Sequence, residues 1–238
     1  MTNGECLNAE TATESVRIGL FFEKGHSQFR ARKDTMLGKH TIRLVRRLRR
    51  RLFKTKGPAA GKIRLYLGSG LDYRPGYVNV DIDPLSAPDL TMDFRQIGDL
   101  YADGAVAEVV MIHTLGYLRL WEARELFAVI YRLLEDGGRL VIELPDIEKC
   151  LHAAMAARGN VQDYLEGMRS LYAFALPEVE SRSCYVPYAF GWTAWHLEWE
   201  LRRAGFHRVI ISEPQAHGNR TWRDLRCEAT KSSHSEIR

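Results

Sequence analysis

After residue 62 the chain switches repeatedly between short apolar runs and longer stretches whose apolar positions recur every three to four residues. The first rhythm suits strands covered on both faces, and the second suits helices with one covered face. Ile63–Leu67 is the first apolar run and leads into Gly68-Ser69-Gly70. Tyr77–Val80 is a second, ending at Asp81, and Leu90 and Thr91 form a short third before Asp93. Glu108–Ile112 is a fourth, whose apolar character marks it as central. Arg119–Leu134 has the period of an amphipathic helix and is stopped by Asp136-Gly137-Gly138. Arg139–Leu144 is a fifth strand, ended by Pro145. Helical segments follow at about 147–157 and 161–173, and then at Trp192–Ala204, which Gly205 closes as a C-terminal cap. Two further strands, 207–212 and 223–230, complete the pattern. Strand and helix in alternation predict an α/β fold with a largely parallel sheet.

The first sixty residues follow a different pattern. Residues 1–15 are polar and without period, Val16–Phe22 has the character of a short strand, and 1–35 as a whole reads as poorly ordered or irregular. Residues 36–56 read as a basic amphipathic helix with Leu37, Val45, Leu48 and Leu52 on one face. Lys56–Gly61 breaks that pattern, so the main domain is predicted to span 57–238. Charge sharpens the division. Residues 28–56 hold twelve Lys or Arg against the single acid Asp34, whereas 57–238 hold 20 Lys or Arg against 25 Asp or Glu. A basic stretch of this kind is suited to a solvated or packed helix, to an anionic lipid surface, or to nucleic-acid phosphate. The contact expected of residues 39–56 is peripheral, with anionic membrane or nucleic acid.

Composition then narrows the classes. A chain of 238 residues, 45% apolar, can bury a full core without disulfide or metal staples. Cys6, Cys150, Cys184 and Cys227 are scattered with no metal spacing, so no metal site is expected. Few cysteines and no signal-peptide pattern suggest a cytoplasmic setting, with a membrane-peripheral position open through the basic segment. No apolar run approaches the roughly 18 residues of a transmembrane helix.

The most informative stretch is Ile63–Pro84, reading IRLYLGSGLDYRPGYVNVDIDP. Glycines at a strand tip let a ligand approach the backbone, and an acid at the neighbouring tip can accept hydrogen bonds from both hydroxyls of a ribose. The dinucleotide fingerprint fits poorly. Its third glycine position is Tyr73, and the acid follows after about 10 residues, not the roughly 20 of that motif. No GxxxxGK[ST] is present, which excludes a P-loop.

LYLGSG followed by PGYVNVDIDP resembles the glycine motif and acidic strand end of class I S-adenosylmethionine (SAM)-dependent methyltransferases, in particular the bacterial type 11-like group. The likeness spans about 63–145 and continues through Thr91-Met92-Asp93-Phe94, LLEDGGRLVIELPD at 133–146 and AGFHRVII at 204–211. It implies a Rossmann-like class I methyltransferase sheet, mostly parallel with an antiparallel C-terminal strand and helices on both faces. It also implies SAM as cofactor and S-adenosylhomocysteine as product. On that resemblance Gly68, Ser69 and Gly70 lie against the methionine and ribose portions, Asp81 binds the ribose hydroxyls, and Asp83 is the lesser candidate. Asp93 and Phe94 face the adenine, and His113, Thr114 and Leu115 line the mouth where the methyl group meets its acceptor. His113 is the candidate general base, with Tyr117 and Tyr188 weaker because a phenol titrates near 10. Plainer roles exist as well: Asp83 before Pro84 shapes a turn, and Asp93 caps a helix.

Two features depart from the group. Leu115-Gly116-Tyr117 stands where many relatives carry Leu-Glu-His, and Tyr188–Trp192 stands where they often carry a histidine. The insertion 146–191, with Tyr164, Tyr172, Phe174, Tyr185, Tyr188 and Phe190, is the expected acceptor side. The expected function is methyl transfer to a small-molecule or glycan acceptor. The alternatives are an RNA methyltransferase docking through the basic helix and a non-catalytic SAM-fold binding module.

Overall fold

A computed structural model of the chain describes residues 62–173 and 187–232. The basic helix expected at 36–56, the strand expected at 16–22, and Phe174 and Tyr185 of the insertion lie outside the described residues. Among the described residues seven strands form one sheet: β1 (Ile63–Leu67), β2 (Val78–Asp81), β3 (Leu90–Thr91), β4 (Val106–Ile112), β5 (Leu134–Pro145), β6 (Arg208–Ser212) and β7 (Asp224–Thr230). Their spatial order is β3-β2-β1-β4-β5-β7-β6. β1 to β5 pair in parallel, and β7 lies antiparallel between β5 and β6. The result is a mostly parallel sheet with one reversed strand and helices around it.

Among the described residues four α-helices accompany the sheet: α1 (Leu120–Leu133), α2 (Ile147–Ala156), α3 (Val161–Tyr172) and α4 (Ala194–Arg203). α1 places Ala123, Leu126, Phe127, Ile130 and Leu133 on one stripe, all buried against the apolar residues of β1, β4 and β5. Each large side chain covered this way contributes about 1.5–3 kcal/mol. α4 adds Leu197 and Leu201 to the same core, beside Trp192 and Phe206. A smaller cluster on the other side of the sheet joins Tyr66, Val110, Ile112 and Val141, with Tyr77 against it.

Boundaries differ from expectation where capping or pairing decides them. α4 begins at Ala194, two residues later than its apolar period suggests, because the Thr193 side chain accepts from the His196 amide as N-cap. Trp192 instead bridges to Asp146 as isolated β-structure. β5 starts at Leu134, directly after α1, because Gly137 and Gly138 exchange backbone hydrogen bonds with Lys231 beyond the end of β7. A diglycine that looks like a pure turn is thereby drawn into the sheet.

Because β7 is reversed, its first residue lies beside the carboxyl end of β5, with Pro145 paired to Asp224. That edge therefore collects the tips of β1, β2, β3, β4 and β5 together with the start of β7. Among the described residues no helix is long and apolar enough to cross a membrane.

Cys150 and Cys227 are buried, and burial pushes both thiols up to about 12. A thiol is reactive as its thiolate. Native protein treated with iodoacetamide at pH 8 is therefore expected to leave Cys150 and Cys227 unmodified, while denatured protein labels at both. Peptide mapping by mass spectrometry checks this, and native labelling at either site would contradict the packing described.

Candidate functional site

The turn after β1 is held from both sides. The amides of Gly68 and Ser69 both donate to the Val80 carbonyl, at 2.8 and 3.1 Å. Only about ten residues join β1 to β2, and buried Asn79 fixes this loop. Its Nδ2 donates to the carbonyls of Arg74 and Tyr77 and to Asp89, while its Oδ1 accepts from the Arg74 amide. The glycine-rich tip is thus a rigid feature without a helix behind it.

Gly68 and Gly70 are glycine for different reasons. Both have left-handed backbone, with φ of 68° and 51°. A Cβ on Gly68 would lie 2.3 Å from Thr114 Cγ2 and 2.5 Å from its Oγ1, so the space beside it is taken by the protein itself. A Cβ on Gly70 would meet nothing within 4 Å. The open approach expected of the motif therefore belongs to Gly70. Ser69 is buried.

Asp81, at the tip of β2, faces this turn. Its Oδ2 accepts from the Gly70 amide at 2.6 Å and its Oδ1 from the Asp83 amide at 2.8 Å. Each carboxylate oxygen has a further lone pair, so one amide apiece leaves acceptor capacity for another donor. Asp83 itself caps the 3-10 turn Pro84–Ser86 by accepting from the Leu85 amide at 2.8 Å.

Asp93 follows β3, and the Met92 amide donates to the Asp81 carbonyl, which keeps the two tips adjacent. The Asp93 carboxylate accepts from the Arg95 amide at 3.0 Å and from the Arg95 guanidinium at 2.5 and 2.9 Å. Hydrogen bonding to Arg95 holds this carboxyl below its ordinary range. Arg95 also reaches Glu122 on α1. Asp93 is therefore engaged as a cap and ion pair, and Phe94 packs partly buried against the main core.

At the β4 tip three neighbouring residues diverge. Thr114 is buried, and its hydroxyl lies 3.0, 3.2 and 3.4 Å from the carbonyls of Ile112, Leu67 and Gly68. It stitches β4 to the glycine turn. Leu115 is fully buried in the main core. His113 alone reaches the surface, with a side chain 20% exposed. Its backbone is left-handed at φ 53°, a conformation that costs a non-glycine residue roughly 1–2 kcal/mol. Two contacts hold it there: its amide donates to the Glu143 carbonyl at 2.7 Å, and its Nε2 lies 2.9 Å from Asp224 Oδ2.

Asp224 escapes a motif-based reading, because it lies 111 residues from His113. The one available signal is an acid opening a final strand that runs against the others, which places it at the edge where the parallel strands end. Arg223 donates to both oxygens of Asp224, from Nε at 2.7 Å and from Nη2 at 3.1 Å. Burial raises the Asp224 carboxyl, but the His113 and Arg223 contacts outweigh it and the net displacement is downward. His217 completes the group, its ring edge-on to His113 with centroids 5.1 Å apart. Burial depresses its basicity, and His113 and Arg220 add to the effect. The loop carrying His217 is anchored where Glu143 accepts from the Gln215 and Ala216 amides.

The two departures from the resembled group meet in space. A Cβ on Gly116 would lie 2.8 Å from the Tyr188 ring, and Ala189 and Phe190 both donate their amides to the Gly116 carbonyl. Tyr188 thus occupies the room that any side chain at 116 would need. Tyr117 lies against the same ring, with centroids 5.0 Å apart.

No protein-family model matches the chain, and no curated protein matches it. Solved structures do. An exported-protein candidate from Bordetella parapertussis matches at TM-score 0.50 and 16% identity, over 79% of this chain and 66% of that one. The chain therefore spans just under two thirds of that protein's length. The complex of the Haloferax volcanii Trm112 methyltransferase activator with a candidate methyltransferase contains a chain matched at TM-score 0.50 and 16% identity, over 85% of this chain and 94% of that one. A SAM-dependent methyltransferase from Archaeoglobus fulgidus matches at TM-score 0.49 and 13% identity, over 79% and 94%. The seven-stranded, mostly parallel Rossmann-like sheet is the fold shared with the methyltransferase chain of the Haloferax volcanii complex. At 16% identity the likeness is one of fold.

Proposed function

We propose that this chain is a SAM-dependent methyltransferase of the type 11-like group, acting on a small-molecule or saccharide acceptor. One observation carries the reading: Gly70, open on its Cβ side, is tied at 2.6 Å to a carboxylate that retains acceptor capacity at the next strand tip. That pairing suits an adenosine, with ribose hydroxyls donating to Asp81 and the backbone of Gly70 approached closely. Asp83 and Asp93 flank the crevice from the neighbouring turns, and Ser69 supports the turn from within. When bound, the cofactor supplies a methyl group on a sulfonium, already activated toward attack.

The chain's own contribution is then alignment at the carboxyl edge of the sheet, an effect that supplies roughly 7–11 kcal/mol when well oriented. His113 is the proton-accepting group of this edge, one residue from the threonine that holds the glycine turn. The aromatic residues Tyr117 and Tyr188 stand beside the acceptor approach, where a planar or sugar face can stack.

Calorimetric titration of the full chain with S-adenosylhomocysteine tests the reading. Saturable one-site binding in the micromolar range is expected. No heat and no protection from thermal unfolding by millimolar ligand would reject it.

A further inference from the structure

His113 after β4 and Asp224 at the start of β7, 111 residues apart, are brought together at the mouth of the proposed site, and their contact decides which ring nitrogen is available. We propose that Asp224, itself fixed by Arg223, is a positioning residue that holds His113 with its Nδ1 lone pair free as a proton acceptor, and that the methyl acceptor is accordingly a neutral hydroxyl. This rests on the methyltransferase reading above and adds the acceptor class to it.

Asp224 is fully buried, and both its oxygens are engaged by cationic or ring donors: Arg223 Nε at 2.7 Å on Oδ1, with Arg223 Nη2 at 3.1 Å and His113 Nε2 at 2.9 Å on Oδ2. An ionised carboxylate only accepts, so the His113 nitrogen facing it must carry the proton. In the neutral ring the lone pair then resides on Nδ1. Arg223 does not consume that lone pair. Its Nη2 lies 3.4 Å from Nδ1 and 3.5 Å from Nε2. A donor aligned with one lone pair would stand much nearer one nitrogen than the other, and these near-equal distances align Nη2 with neither. The charged and titratable groups facing the imidazole are Asp224 and Arg223 at the start of β7, and His217 from the preceding loop, with Arg220 beyond His217.

The chemistry follows from where a base is needed. A free amine attacks through its own lone pair, and a carboxylate is already anionic near neutrality. An alcohol or phenol keeps its proton there, so its attack gains from a base in the transition state, typically by 10²–10⁴-fold. In the balanced step the hydroxyl oxygen bonds to the methyl carbon and its proton passes to His113 Nδ1. The carbon–sulfur pair stays on sulfur, leaving a thioether, and the positive charge moves to the imidazolium beside Asp224.

The test uses full-length protein with labelled histidine and S-adenosylhomocysteine, read by long-range ¹H–¹⁵N spectra. Wild-type His113 is expected as the Nε2–H tautomer. Asp224→Asn, whose amide can donate to Nε2, is expected to move the proton to Nδ1. It should also lower kcat at least 100-fold on a panel of sugars and phenols, with KM and S-adenosylhomocysteine affinity unchanged within threefold. A wild-type Nδ1–H tautomer overturns the proposal whether or not the variant folds. So does an unmoved tautomer in a folded variant, or transfer to amines alone or to none of the panel. Failure of S-adenosylhomocysteine to bind would instead remove the underlying reading.

Discussion

Replacing Asp81 by alanine is expected to weaken S-adenosylhomocysteine binding by at least tenfold while leaving the sheet intact. The carboxylate sits at the junction of two tips, accepting from Gly70 at 2.6 Å and Asp83 at 2.8 Å. Under the proposed function its remaining lone pairs receive the ribose hydroxyls. A hydrogen bond to a charged group contributes about 1.5–3 kcal/mol, and roughly 1.4 kcal/mol corresponds to a factor of ten in affinity. Losing the carboxylate therefore removes one to two orders of magnitude. The same change frees two amides at a site where Asp81 is only 9% exposed, at a cost of about 1–3 kcal/mol for each one left without water. Calorimetry should be run well below the variant's melting temperature so that the two effects separate. Asp81→Asn sharpens the test, since its amide nitrogen must face one of two backbone N–H donors. Affinity unchanged in both variants would reject the placement of the ribose.

Gly68→Ala should produce the largest loss of stability of any single methyl added near the site. The new carbon would stand 2.3 Å from Thr114 Cγ2 and 2.5 Å from Thr114 Oγ1, on a residue whose φ is 68°. Left-handed backbone costs alanine about 1–2 kcal/mol, and overpacking a tight contact typically costs a further 1–3 kcal/mol. For a domain of this size the fall in Tm is on the order of 10 °C. Adding Thr114→Ala removes the two nearest atoms but keeps its Cβ at 3.0 Å and loses the hydroxyl contacts to Leu67 and Gly68, so the double variant should regain only part of the steric loss and retain the backbone part. Gly70→Ala gives the contrast: with φ at 51° but nothing within 4 Å of its Cβ, it should lose only the backbone part, about 1–2 kcal/mol, yet bind S-adenosylhomocysteine poorly. Melting curves and calorimetry on the four proteins distinguish a packing glycine from an access glycine. Equal behaviour of Gly68→Ala and Gly70→Ala would show that distinction to be wrong.

The contrast between these glycines shows where the linear reading stopped. A glycine, one residue, and another glycine at a strand end look equivalent in sequence, and only Thr114, 46 residues beyond Gly68, separates their roles. Asp83 and Asp93 posed the same problem. Both are acids just past a strand, and in the fold both serve as caps to 3-10 turns, with Asp93 also bound to Arg95. Asp81 differs because its partners include Gly70 in the turn after the neighbouring strand, a contact that turn chemistry alone does not foretell. Gly116 reads as a lost acid until Tyr188 is seen lying over it.

What the chain determined locally was the alternation of strands and helices, the positions of the strand tips and the residues standing on them. Apolar period, caps and turn residues act over a few positions, and that range covers an element and its ends. The tertiary structure decided which tip residues meet. Strand order places β1 between β2 and β4, and the reversal of β7 carries Asp224 to His113. Those contacts join residues from 11 to 111 positions apart, and they follow from how buried faces stack across the whole sheet, which no local window contains.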